Sequence, residues 1–201
     1  SNFTIQNSDL IFVIGSRLSQ PQVGYNLSNF AINSKIIYLD IDKWEINKFK
    51  GKIIKSLNYD ISYFLKYFNN YLKKNKIFIN KSEWLNKCNF WKRKYPVVLY
   101  KYKKEKKINS FYFIDTLSSL LKKKDIIVTD MGTSFTCTMQ TFKTKKKQRL
   151  FTSSGLAAMG FGLPGSIGAC FANEKKKIIC VSGDGGIMFN LQELQTIFHH
   201  K

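Results

Sequence analysis

The chain is poor in arginine, histidine, proline and acid. Arginine occurs only at Arg17, Arg93 and Arg149, among 33 basic residues, and the two histidines, His199 and His200, are neighbours. Three prolines and twelve glycines exclude a collagen-like or linker-dominated chain. The four cysteines, Cys88, Cys137, Cys170 and Cys180, form no C-x-x-C pair, and with two adjacent histidines they offer no zinc spacing. Scattered thiols of this kind fit a reducing, cytoplasmic setting better than a disulfide framework. Acid is so scarce that the formal charge is +20. That charge would point to nucleic acid or an anionic membrane. Base readout, however, favours arginine's planar fork, which is nearly missing here. The lysines fall in runs at 103–107, 122–124, 145–147 and 175–177, between apolar segments, where solvated loops and helix ends belong. Neither nucleic acid nor a membrane is therefore expected as a partner. Residues 150–173 carry no charge, but they are small, glycine-rich and interrupted by Pro164. They read as a buried α/β segment, not a bilayer span. No signal-peptide pattern opens the chain, and it starts at Ser1 without methionine, as a processed chain or a piece of a longer one would.

What is present is a core-forming composition, 44% hydrophobic over 201 residues. Short apolar runs alternate with helical periodicity. Strands are expected at 10–14, 35–39 and 53–57, and a helix at 60–74 with Asp60 as its N-cap. A second helix follows Ser82 and stops before Pro96. The lysine- and tyrosine-rich stretch 97–109 has no period and reads as a connection. A new unit then runs through a helix at 111–121, strands at 125–129 and 150–152, a helix at 160–173, a strand at 177–181 and a last helix near Asn190. Asn190 and Glu193 have capping-box spacing for that helix. Alternation of this kind implies two α/β units built on parallel sheets.

Ligands of open parallel sheets bind beyond the carboxyl ends of the strands. Three strand ends of the second unit are chemically unusual. In Gly183-Asp184-Gly185-Gly186, glycines surround one carboxylate. Such a turn can approach phosphates closely, and its carboxylate suits a magnesium ion that also bridges phosphate oxygens. A plain β-turn is the alternative. Residues 160–165 form a G-x-G-x-x-G, but Pro164 interrupts it, and close helix packing through small residues is favoured over dinucleotide binding. Asp130-Met131-Gly132-Thr133-Ser134 offers amides and hydroxyls for a phosphate, or simply a helix N-cap. In the first unit, Gly15-Ser16-Arg17 and Asp40-Ile41-Asp42 follow successive strands, a Rossmann-like half without the full glycine fingerprint.

Four stretches carry a resemblance: SDLIFVIGSRLSQPQVGYN and KIIYLDIDKWEINKF in the first unit, then RLFTSSGLAAMGFGLPGSIGACFA and IICVSGDGGIMFNLQEL in the second. Together the chain resembles the large subunit of acetolactate synthase and its relatives, the thiamine-diphosphate-dependent 2-oxo acid enzymes. The resemblance implies that residues 1–75 are the end of a Rossmann-like central domain, 76–110 a helical, basic connection, and 111–201 the first part of a thiamine-diphosphate-binding domain. It implies Asp184 as a magnesium ligand, and Gly183, Gly185 and Gly186 as the turn around the diphosphate. Gly132, Thr133 and Ser134 take the place of a Gly-Gln-His common in acetolactate synthases and would contact that diphosphate. Met159 would wedge the cofactor into a bent shape, the Ala157 carbonyl would accept from its aminopyrimidine where most relatives carry glycine, and Met188 would line the cleft. The implied chemistry is decarboxylation of a 2-oxo acid such as pyruvate, with carboligation, in branched-chain amino acid biosynthesis. No catalytic residue is expected in this chain. The activating glutamate would lie in an amino-terminal domain outside it, and the chain reads as a fragment without turnover, from a homodimeric or homotetrameric parent. Leu18-Ser19-Gln20-Pro21 stands where FAD-binding relatives often carry Asp-Asp-Arg, which makes FAD doubtful. A non-catalytic nucleotide- or cofactor-binding module on the same fold is the alternative.

Overall fold

The computed structural model describes residues 2–49, 51–77, 80–173 and 177–200. The lysine run at 175–177 falls mostly outside them. The fold is α/β, with two compact units, Ser1–Tyr95 and Pro96–Lys201.

The first unit runs α1 (Asn2–Asn7), β1 (Leu10–Ile14), α2 (Gln20–Val23), β2 (Lys35–Asp40), α3 (Lys43–Asn47), β3 (Ile53–Asn58), α4 (Ile61–Lys74) and α5 (Ser82–Lys94). Its three strands are parallel in the order β1-β2-β3. The central strand is the core: Ile36, Tyr38 and Leu39 are all but inaccessible to solvent. Val13, Phe30, Ala31, Ile46 and Phe49 also pack in this core. Helix α4 begins where the sequence predicts, because the Asp60 Oδ1 accepts from the amides of Ser62 (2.8 Å) and Tyr63 (3.2 Å). Lys73 and Lys74 close it, placing positive charge at the negative end of the helix dipole. Helix α5 ends on Lys92, Arg93 and Lys94, short of Pro96, for the same reason.

At the carboxyl ends of these strands the buried Glu45 joins two cations. The Arg17 Nε and Nη2 donate to its Oε1 (2.9 and 2.8 Å), and the Lys48 Nζ donates to its Oε2 (2.6 Å). Lys48 first, then Arg17, holds the Glu45 carboxyl below its ordinary value of 4.5. A lowered carboxylate pKa stabilises the fold above the ordinary value and loses that contribution as pH falls through the folded one. The gap in thermal midpoint between the wild type and Glu45→Gln is therefore expected to be widest above 4.5 and to close below it. A gap independent of pH would remove this assignment. Beside it the Tyr38 hydroxyl donates to the Ser16 carbonyl, and burial first, then the nearby Asp40 and Glu45, pushes its pKa up to about 12.

The second unit runs α6 (Ser110–Leu120), β4 (Ile126–Thr129), α7 (Thr133–Thr141), β5 (Arg149–Phe151), α8 (Gly162–Ala172), β6 (Ile178–Val181), α9 (Asp184–Met188) and α10 (Glu193–His200). Strand β4 is buried along its whole length, so its run Ile126-Ile127-Val128 needs no polar alternation. The strand order is β5-β4-β6, all parallel. The chain therefore winds from β4 to one side, then returns across β4 to the other. That reversal opens a crevice between the carboxyl ends of β4 and β6, the position at which open α/β sheets take ligands.

Lysine also serves the backbone here. The Lys145 Nζ donates to the carbonyls of Ser119 and Leu121, the otherwise unpaired end of α6. Among the described residues no helix is long and apolar enough to cross a membrane.

Candidate functional site

Three segments meet at the β4/β6 crevice: 130–134 after β4, 157–162 before α8, and 182–190 after β6. The buried Asp130 ties them together. Its backbone amide donates to the Val181 carbonyl (2.9 Å). Its Oδ1 accepts from the amides of Met131 (2.7 Å) and Gly160 (3.0 Å). Its Oδ2 accepts from the Gly162 amide (3.1 Å) and the Ser182 hydroxyl (3.2 Å). The motif at 130–134 points to amides and hydroxyls or a helix cap, not to this bridging carboxylate. Its importance is a long-range fact, visible only once three loops are placed around it.

The first segment presents backbone. Gly132 caps α7 with φ +77, a conformation that L side chains rarely adopt, and no side chain caps the helix start. The amides of the first turn of α7 are thus left for another acceptor. Thr133 is exposed, whereas the Ser134 hydroxyl donates back to the carbonyls of Asp130 (3.0 Å) and Met131 (2.9 Å). Thr133, Ser134, Ser182 and Gly183 share the wall of a cleft of about 250 Å³ with Ile108, Phe113 and Cys137. Burial raises the Cys137 thiol above its ordinary value, so it presents a thiol and not a thiolate.

The second segment is a tight turn. The Ala157 amide donates to the Ser153 carbonyl (2.7 Å), and Ala157 has φ +55, in the left-handed region that glycine occupies without strain. Met159 is exposed, and its Cε lies 3.6 Å from where a Cβ on Gly185 would stand. The glycines that follow serve packing. A Cβ at Gly162 would meet the Asp130 Cβ at 3.0 Å, and one at Gly165 would meet the Phe161 ring at 3.0 Å.

The third segment carries the glycine-wrapped aspartate. Asp184 is exposed, with its Oδ1 accepting from the Gly185 amide (2.8 Å). Gly186 is buried, and the position requires glycine because a Cβ there would lie 2.8 Å from the Asp130 carboxylate. Gly183 differs. Its φ of −83° suits any residue, and a Cβ there would meet nothing within 4 Å. Neither backbone strain nor packing demands glycine at 183; what it leaves is bare backbone facing open space beside a carboxylate. Met188 is exposed on α9.

The structure therefore brings Met159, Gly185 and Gly186 to one place around Asp130, with Gly132, Thr133, Ser134 and Gly183 bordering the same crevice. Among the described residues no three His, Cys, Asp or Glu side chains form a metal cluster. A divalent ion here would have Asp184 as its protein carboxylate and take its other ligands from phosphate and water, which is magnesium's habit. The open space before Gly183 and the exposed carboxylate fit such a group.

Comparison with known proteins gives a family. Residues 130–201 match the family described as thiamine pyrophosphate enzyme, C-terminal TPP binding domain. Over 98% of its length the chain is 35% identical to a probable acetolactate synthase large subunit from Methanococcus aeolicus, covering 34% of that protein. It is 31% identical over 98% of its length to the acetolactate synthase isozyme 1 large subunit of Escherichia coli, again covering 34%. It is 34% identical over 98% of its length to the chloroplastic acetolactate synthase of Arabidopsis thaliana, covering 29%. The chain spans about a third of the length of these curated relatives.

Proposed function

The chain is acetolactate synthase large subunit-like, and on that footing we propose that its second unit holds the diphosphate of thiamine diphosphate through magnesium, as part of a 2-oxo acid carboligase or decarboxylase. The observation that carries the proposal is the Gly183-Asp184 pair: bare backbone that the fold itself does not require, next to an exposed carboxylate. When bound, thiamine diphosphate supplies an electron sink for decarboxylating a 2-oxo acid and transferring what remains.

The chain's own residues bind and orient. Asp184 would ligate the magnesium, Gly183 would let the diphosphate approach the backbone without meeting a Cβ, and Gly185 and Gly186 would complete the turn around it. Gly132 and Thr133 would offer amides at the start of α7 from the other wall. Ser134, whose hydroxyl proton is committed to its own loop, would offer its backbone amide instead of its side chain. The exposed Met159 and Met188 would give the thiamine rings apolar contact, and the Ala157 carbonyl would accept a hydrogen bond from the pyrimidine. The domain assignment follows: 1–75 from a central Rossmann-like domain, 76–110 a connection, and 111–201 part of the thiamine-diphosphate domain. Pyruvate is the representative substrate, and a homodimer or homotetramer of a longer parent, in the cytoplasm, is the working assembly.

We assign no flavin to the first unit. Its strand-end cleft is lined by Asp40, Asp42, Glu45 and Asp60, and the one arginine among the lining residues, Arg17, is paired with Glu45. A flavin's diphosphate would meet carboxylates there, so no step is assigned to FAD.

Titrating thiamine diphosphate into the protein by equilibrium dialysis tests the proposal. Saturable binding that needs magnesium, reverses with chelator and is displaced by inorganic diphosphate is expected. Binding indifferent to magnesium, or none, would reject it.

A further inference from the structure

Asp130 has no part in the reading above, yet it makes more bonds than any other side chain in the crevice. We propose that Asp130 is a positioning residue, whose carboxylate fixes the 157–162 turn and its Met159 against the Gly183–Gly186 turn, and so shapes the end of the cradle that takes the thiamine rings. The inference rests on the thiamine diphosphate reading and deepens it.

A carboxylate has about four lone-pair sites. Here four donors occupy them: the amides of Met131, Gly160 and Gly162, and the Ser182 hydroxyl. No ion pair among the described residues includes Asp130, so its partners are N–H and O–H dipoles instead of a cation. The bonds reach two segments that no strand pairing joins to each other. Gly160 follows Met159, and Ser182 precedes Gly183, so the carboxylate sets the distance between the expected ring contact and the expected diphosphate contact. Space around it is closed as well. A Cβ at Gly162 would lie 3.1 Å from Oδ2, and one at Gly186 would lie 2.8 Å from it. The carboxylate cannot swing to follow a displaced loop.

Asp130→Asn keeps the shape and replaces one acceptor by a donor. Whichever way the amide turns, two of the four donors lose their acceptor, and at least one of them is a buried backbone N–H. The wild type and the variant are compared for binding of thiamine diphosphate and of inorganic diphosphate, each with magnesium. Amide hydrogen exchange at Gly160 and Gly162 is followed without ligand. We expect affinity for thiamine diphosphate to fall about tenfold or more, with inorganic diphosphate held within about twofold and exchange at the two glycines accelerated. Equal loss for both ligands would mark a merely structural role and overturn the proposal. So would unchanged affinity for thiamine diphosphate, or unchanged exchange. Absence of thiamine diphosphate binding in the wild type would instead sink the underlying reading, and this one with it. Ser182→Ala removes one donor and leaves the backbone bonds in place. It should shift thiamine diphosphate affinity in the same direction by about two- to fivefold, which keeps the test open if Asp130→Asn does not fold.

Discussion

Replacing Asp184 with alanine is expected to abolish the magnesium dependence of thiamine diphosphate binding while the protein stays folded. The side chain is exposed, and the hydrogen bond it makes is to its neighbour, the Gly185 amide. Loss of that bond, and of a negative charge at the start of a short helix, costs the fold no more than about 1 kcal/mol. Cofactor binding is another matter. Outer-shell partners of a metal change its affinity by about 10–100-fold, and a direct carboxylate ligand belongs at or above the upper figure. An affinity lower by about a hundredfold, with an unchanged urea midpoint, is the expected outcome. If magnesium raises the affinity of the variant as it does that of the wild type, the metal lies elsewhere.

The second large effect is on stability. Gly160 sits at φ +88, and a Cβ there would stand 2.7 Å from the Asn190 Nδ2 and 2.8 Å from the Phe189 Cβ. The Asn190 Nδ2 also donates to the Gly160 carbonyl (2.7 Å), so moving away breaks the bond that fixes the turn. Gly160→Ala combines left-handed strain of about 1–2 kcal/mol with overpacking of about 1–3 kcal/mol. A loss of about 2–4 kcal/mol in urea unfolding is expected, a large share of the ~5–15 kcal/mol that hold a domain. Gly183→Ala is the converse. With an ordinary φ and nothing within 4 Å of a Cβ, it should spare stability and weaken diphosphate binding. A destabilised Gly183→Ala, or a Gly160→Ala as stable as the wild type, would contradict these two assignments.

Local features were legible in the sequence because their causes are local. Asp60 caps α4 with its own side chain, Pro96 lies just past α5, and β4 is a buried apolar run. The glycine-wrapped aspartate stands out for the same reason: its chemistry is contained in four consecutive residues. Asn190 shows where local reasoning stops. Its spacing to Glu193 predicts a capping box, but its Nδ2 reaches Gly160, and the Glu193 Oε2 accepts from the Thr196 hydroxyl. The capping acceptor, the Asn190 Oδ1, instead accepts from the Gln192 side chain, and α10 starts only at Glu193. Asp130 lies further still from sequence reasoning, since nothing in Asp130-Met131-Gly132 announces partners 30 and more residues away. The reversal of strand order about β4 is hidden too, because pairing between β4 and β6 is decided by the sheet and not by either strand.

The Asp130 carboxylate accepts across sequence separations of 30, 32 and 52 residues. Closing loops of that length costs chain entropy before any contact rewards it. Of the three, the 52-residue closure to Ser182 is the longest and the costliest in chain entropy. The bonds to Gly160 and Gly162 join residues that precede β6, whereas the Ser182 bond to the same carboxylate and the Asn190 bond to the Gly160 carbonyl wait for that strand, so the turn before α8 gains its second anchor last.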